Sequence, residues 1–193
     1  MGREGKDVEI TSIRELMVPL EEYATVSMDA TLKEAVDALE KAQEELDRKR
    51  YKYLHRAVLV LNKNKDVVGK ITQMDILRSL EPKYKDIGDT RRVSLSGFSA
   101  QFLKSMMDSH SLWVRSLRDI CNKAVKTKVK DIMAILTEGE FIDEKDSLEE
   151  AMHIMIMGHH HSLLVARDEN IVGILRVTDV FNYINDLIKL CKI

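Results

Sequence analysis

The sequence predicts an α/β protein made of tandem β-α-β-β-α units with pseudo-two-fold symmetry and a helical insertion between them. Three observations predict it. The chain repeats itself, each copy runs through the same order of extended and helical patterns, and the same polar cap opens the first helix of both copies.

The repeat is direct. Residues 12–39, SIRELMVPLEEYATVSMDATLKEAVDAL, align without a gap on 128–155, KVKDIMAILTEGEFIDEKDSLEEAMHIM. Met17 falls on Met133, Leu32 on Leu148, Glu34 on Glu150 and Ala35 on Ala151. AVLVLNKNKDVVGKITQMDIL (57–77) aligns in the same way on HSLLVARDENIVGILRVTDVF (161–181), with Gly69 on Gly173 and Asp75 on Asp179. Between these halves copy one carries twelve extra residues, roughly 42–54. The chain divides into copy one within 1–81, an insertion at 82–127 and copy two within 128–193.

In each copy a short extended segment, Thr25–Ser27 or Phe141–Asp143, precedes a helix. Thr31-x-x-Glu34 and Ser147-x-x-Glu150 are capping boxes, in which hydroxyl and carboxylate satisfy the free N–H groups of a helix start. Leu32, Ala35, Val36, Leu39, Gln43 and Leu46 share one helical face, apolar except at Gln43. Two β runs follow, Val58–Leu61 and Val67–Thr72 across the polar turn Asn62–Asp66, repeated as Ser162–Val165 and Ile171–Leu175. A second helix starts near Asp75 or Asp179. One such unit is too small to bury its sheet well, so two copies sharing a core, with a cleft between them, are expected.

The insertion reads as two helices packed on the pair. Phe98, Phe102 and Met106 mark the first, and Leu112, Val114, Leu117, Ile120 and Val125 the second. Ser96 or Ser99, and Ser109 or Ser111, are their candidate caps. A structural clasp is expected, with Trp113 shielded; a partner-binding or dimerising surface is the other reading.

Bulk properties exclude several classes. With 45% hydrophobic and 32% charged residues, a folded soluble protein is expected. A formal net charge of -2 supplies no field for nucleic acid or an anionic membrane. The polar start MGREGKDVEITS has no signal-peptide core and no apolar run reaches membrane length, so a cytoplasmic location is expected. Cys121 and Cys191 read as reduced thiols in no metal-ligand spacing. His159-His160-His161 does not read as a metal site, because neighbours on an extended segment face opposite ways and no nearby Cys completes a ligand set. His160 remains a candidate for contacting phosphate. Met152, Met155 and Met157 read as core filling. No nucleophile–base pairing, Walker loop, GxGxxG or HExxH occurs, so catalysis is not expected.

The segments Arg14-Glu-Leu-Met17, Ala30-Thr-Leu-Lys-Glu-Ala35 and Val68-Gly-Lys-Ile-Thr-Gln-Met-Asp75 resemble a CBS domain. Lys130-Asp-Ile-Met133 and Val172-Gly-Ile-Leu-Arg-Val-Thr-Asp179 resemble a second, and together they resemble a CBS pair, or Bateman module. The resemblance implies an adenosine-containing ligand (AMP, ADP or ATP, with S-adenosylmethionine less favoured) in the cleft between repeats. No cofactor is required. It also implies regulation of a protein whose identity the sequence does not reveal, and pairing into a homodimer.

The family's ribose and phosphate motif is Gly-x-x-Thr/Ser-x-x-Asp, matched in full by Gly69, Thr72 and Asp75. The Asp75 carboxylate can accept both ribose hydroxyl protons and the Thr72 hydroxyl can donate to phosphate, while the helix start favours an anion. The same residues also form a cap that needs no ligand. His55-Arg56 resembles a His-Arg pair that contacts phosphate in the gamma subunit of AMP-activated protein kinase, and Arg offers a planar fork for phosphate; a solvated strand edge is the other reading of the pair. Lys49, Arg50 and Lys52 nearby suit a helix C-terminus. Copy two departs from the motif: Arg176 stands where copy one has Thr72. Asp179 keeps ribose binding open, while Arg176 either clamps phosphate or fills the site, so occupancy of the copy-one site is favoured. Backbone at Ala24–Val26, with Thr25 and Val26, and at Phe141–Ile142 is where the family places adenine contacts. The alternative is an interaction or dimerisation module with no nucleotide.

Overall fold

Copy one begins with a capping box between Ser12 and Glu15, which opens a single helical turn, α1 (Ile13–Leu16). The computed structural model describes residues 12–85, 87, 97–113 and 119–191. A short strand β1 (Val18–Pro19) follows, then β2 (Thr25–Ser27), α2 (Leu32–Glu44), β3 (Ala57–Leu61), β4 (Val67–Thr72) and α3 (Gln73–Ser79). The insertion supplies α4 (Ala100–Ser109) and α5 (Ile120–Lys126). Copy two repeats the order as β5 (Ala134–Ile135), β6 (Phe141–Asp143), α6 (Leu148–Gly158), β7 (Ser162–Arg167), β8 (Asn170–Arg176) and α7 (Val177–Leu190). Both expected extended segments and both capping boxes on α2 and α6 form as read from the sequence.

The sheets exchange strands. One runs β2-β3-β4-β5 and the other β1-β8-β7-β6, so each copy lends its first strand to the other's sheet. The core is exchanged with them. Ile13 and Met17 pack with Leu163, Leu175 and Met155 of copy two, and Val129 packs with Val60 and Ile71 of copy one. A third cluster joins the halves through Leu59, Val18, Leu164 and Ile174. The apolar run of β3 is therefore buried on both faces, which explains why it does not alternate.

Gly69 and Gly173 make the exchange possible. A Cβ on Gly173 would stand 2.7 Å from the Val18 carbonyl oxygen and 2.8 Å from the Met17 sulfur. One on Gly69 would stand 2.9 Å from both the Ala134 carbonyl oxygen and the Met133 sulfur. The glycine of the repeated motif thus serves close backbone approach. Gly173→Ala should lower the unfolding free energy by about 1–3 kcal/mol through overpacking. Urea denaturation measures it, and an unchanged midpoint would contradict the role.

Four expectations change. The gapless alignment of the second halves is displaced by one residue in the first strand, because Val60 pairs with Gly69 while Val165 pairs with Gly173. Ala57 therefore corresponds to Ser162, His55 to His160 and Arg56 to His161; copy two's turn is one residue shorter. On α2, Val36 is exposed and Leu46 lies beyond the helix end, although it is buried. In the insertion Ser99 caps α4, but the second helix starts only at Ile120, after Asp119. Leu112 is buried in a turn, and Trp113 has φ 64. Ser96, Val114 and Leu117 lie outside the described residues. Among the described residues the insertion is held to the pair at Trp113 and along α5. Trp113 is half-buried, with its backbone N–H on the Glu81 carboxylate and its indole N–H on the Tyr84 hydroxyl at 3.0 Å, and the Lys123 ammonium holds the Leu80 carbonyl. Most of α4 is exposed. Finally, His159 is not extended: it is the left-handed C-cap of α6.

Candidate functional site: two unequal clefts

The exchange brings the second motif of each copy against the first strand segment of the other. In the first cleft, Thr72 ends β4 and caps α3. Its backbone N–H and hydroxyl both donate to Asp75 Oδ2, at 2.9 and 2.6 Å, and its hydroxyl accepts from the Asp75 N–H at 3.2 Å. The cap is thus complete. Oδ1 meets only a 3.5 Å contact from Arg78, whose side chain is half exposed, so Asp75 keeps acceptor capacity. A cavity of about 320 Å³ lies beside it, lined by Asp75, Arg78, Ser79, Thr127 and Asp131–Met133.

Copy two reaches β4 through Glu140. Lys70 lies two residues before Thr72 and therefore shares its face of β4. Its ammonium is ion-paired with the largely buried Glu140, the residue before Phe141. Burial alone would raise the Glu140 carboxyl; the Lys70 ammonium and the Thr137 backbone N–H outweigh it and hold the carboxyl below the usual range. His160 approaches Gly139 closely, its Nε2 standing 3.6 Å from where a Cβ would lie. Phe141 and Ile142 pair with Leu164 and Val165, so their backbone is fixed by the sheet. Arg56 is exposed, and its carbonyl accepts from the Gln73 N–H, which puts it at the mouth of this cleft.

The second cleft holds the repeat counterparts of these residues and is filled. Arg176 places Nε and Nη2 on the two carboxylate oxygens of Asp179, at 2.5 and 2.8 Å. Its Nη1 donates to the Tyr53 carbonyl and to His55 Nδ1, each at 3.1 Å. The guanidinium carbon lies 5.4 Å from the Tyr51 ring centre, and the Tyr23 ring lies 4.4 Å from that of His55. Arg176, Asp179, His55, Tyr23 and Tyr51 are all buried. Arginine has no acceptor, so His55 Nδ1 must accept and the neutral ring carries its proton on Nε2. Burial first, and the Arg176 charge second, push His55 down to about 4. Thr25 and Val26 are half-buried on β2, paired to Leu59 and Val60.

The sequence residues are thus brought together only in part. Thr72 and Asp75 meet in the first cleft, with Arg56 bonded to the start of α3, and His55, Arg176 and Asp179 meet in the second. Ile142 is in the core, Phe141 packs on the cluster between the halves, His160 lies against Gly139, and Thr25 and Val26 are on the strand that follows Tyr23. His55 and Arg56, adjacent in sequence, go to different clefts because one is buried and the other exposed. Sequence reasoning missed Lys70 and Glu140. A single cation inside an apolar β run, where the repeat has Ile174, was the available signal. It also missed the roles of Tyr23, Tyr51 and Tyr53. A larger cavity, about 520 Å³, lies between β2 and α2. Its lining includes Tyr23–Thr25, with Glu21, Glu22, Glu45 and Asp47 against Lys41 and Arg50.

Among the described residues no group of three or more His, Cys, Asp or Glu side chains converges as metal ligands. None of the described helices is long and apolar enough to cross a membrane.

Comparisons with known proteins agree with this architecture. The CBS domain family model matches residues 13–82 and 118–186. No curated protein matches the chain. A CBS domain-containing protein of unknown function from Bacillus anthracis superposes with a TM-score of 0.59 at 17% identity, covering 91% of this chain and 94% of that one. CBSX2, a CBS-pair protein from Arabidopsis thaliana, gives 0.58 at 14% identity, covering 94% and 99%. Its complex with AMP gives 0.55 at 15%, covering 91% and 97%. Protein MJ1004 from Methanocaldococcus jannaschii gives 0.56 at 17%; 92% of this chain is covered, but it spans only 60% of that longer one. With two matched repeats over most of its length and the strand-exchanged pair they build, the chain belongs to the CBS-domain family.

Proposed function

We propose that this CBS pair is a regulatory, non-catalytic module that binds one adenine nucleotide in the Thr72–Asp75 cleft and passes its occupancy to a partner protein. The observation that carries the reading is the Asp75 carboxylate, partly exposed beside a cavity and with acceptor capacity left after its cap is complete. Ribose hydroxyls donate to Asp75, the base lies against the Gly139–Ile142 backbone, and Arg56, His160 and Lys70 are the cations and donors within reach of phosphate. The AMP complex of CBSX2 supports this class of ligand.

Asp75→Ala should weaken AMP binding by about tenfold to a few hundredfold, the loss of charge-assisted hydrogen bonds worth roughly 1.5–3 kcal/mol each. Isothermal calorimetry reads it, and an unchanged affinity in the folded variant would refute the site. A second reading, an interaction module without nucleotide, draws on the Thr72–Asp75 cap being complete with no ligand. Absence of binding by AMP, ADP and ATP at millimolar concentration would favour it.

The proposal includes a homodimer. Leu77 on α3 and its repeat counterpart Phe181 on α7 are both more than half exposed, as are Met74 and Ile188. Helices that present large apolar side chains in corresponding positions of both copies suit a symmetric interface. Sedimentation should give twice the 22.2 kDa chain mass. A 22.2 kDa species at high micromolar concentration would contradict the dimer.

A further inference from the structure

We infer that the second cleft is permanently occupied by the chain itself, with Arg176 as its built-in ligand, so that each chain takes one nucleotide and not two; this rests on reading the first cleft as a nucleotide site. The pseudo-two-fold axis carries Thr72 onto Arg176 and Asp75 onto Asp179. A ribose would present two O–H donors to Asp179. Arg176 already presents two N–H donors in the same bidentate manner, at 2.5 and 2.8 Å, one to each carboxylate oxygen.

The plug is built from three parts of the chain. Arg176 comes from the end of β8. The copy-one segment with no counterpart in copy two supplies the Tyr53 carbonyl under Nη1 and the Tyr51 ring against the guanidinium. Tyr23, just before β2, covers His55, where its counterpart in the other cleft is the exposed Gly139. The open cleft therefore has hydrogen where the closed one has a phenol, and a short hydroxyl where the closed one has a guanidinium. A buried charge holds its position when its donors are bonded and an opposite charge faces it; Arg176 is buried, makes four hydrogen bonds and faces Asp179. An entering nucleotide would have to expel that cation.

Side-chain nitrogen NMR of the whole wild-type chain tests this without any variant. The Arg176 Nε–H should be protected from solvent exchange in the free protein. It should also keep its shift at saturating AMP, while amides near Asp75 move. An Nε–H that exchanges as an exposed arginine does, or that shifts when AMP saturates, would overturn the inference. Calorimetry with AMP adds the count. Wild type should bind one per chain, and Asp75→Ala should show that one site weakened and no second one. Binding in that variant that shifts the Arg176 Nε–H would overturn the plug. Arg176→Thr, which restores the copy-one motif, should raise the count from one to two; a folded variant that gains nothing would also overturn it. If wild type binds no AMP, the reading of the first cleft falls, and the Nε–H exchange and the Arg176→Thr gain still decide the plug.

Discussion

Asp179→Ala should lower the unfolding free energy by about 3–5 kcal/mol, the loss expected when one member of a buried ion pair is removed. Its partner, Arg176, has a side chain only 6% exposed and no other counter-charge among its hydrogen-bond partners. The remaining guanidinium would be a desolvated cation against the rings of Tyr51 and His55. Asp75→Ala at the corresponding position should cost only about 1 kcal/mol, the usual value of a lost cap, because Arg78 there is half exposed. Urea unfolding of the two variants makes the comparison directly. Equal losses would show that the clefts are equally solvated. Replacing Arg176 and Asp179 together with apolar residues should recover much of the loss, since the desolvation cost of the pair then disappears as well.

Acid should destabilise the protein through His55. Its folded value, about 4, lies below the ordinary 6.5, first because the ring is buried and second because a proton would set a cation against Arg176. Between pH 6.5 and about 4 the unfolded chain takes up a proton that the native ring refuses. The unfolded state binds more protons there, so stability is fully present above pH 6.5 and is lost as pH falls toward 4. The loss is about 3 kcal/mol. His55→Asn, whose amide oxygen can accept from Arg176, should remove this part of the pH profile and leave the carboxylate part at lower pH. Glu140, held low by Lys70, belongs to that second part: its contribution is present at neutral pH and lost below the usual carboxylate range. Denaturant midpoints from pH 7.5 down to pH 4 would show whether the variant flattens; an identical slope in both proteins would contradict the assignment.

The sequence revealed the parts whose causes are local. Thr31–Glu34 and Ser147–Glu150 are capping boxes wherever such helices start, and Thr25–Ser27 and Phe141–Asp143 form where read. What escaped depends on residues far apart. The exchange of β1 and β5 between sheets is decided by two glycines and the strands that approach them, more than sixty residues away. The slip that aligns His55 with His160 hides in a turn one residue shorter, because Gly69 and Gly173 anchor the alignment on the far side of it. His159 departs from the extended run expected of the three histidines, because nothing in its neighbours announces a left-handed cap. Arg176 left two options open in the sequence, clamping phosphate or filling the site. The filling arrangement depends on Tyr53 and Tyr51, which reach it from the segment that copy two lacks. The Lys70–Glu140 pair, joined across the two copies, was equally out of reach of local pattern.

A crystal structure grown with AMP tests the central claim most directly. The account predicts one AMP per chain, its ribose hydroxyls on the Asp75 carboxylate and its base against the backbone of Gly139–Ile142, with Arg176 still on Asp179. AMP seated on Asp179 with Arg176 displaced, or both clefts empty at millimolar AMP, would contradict it.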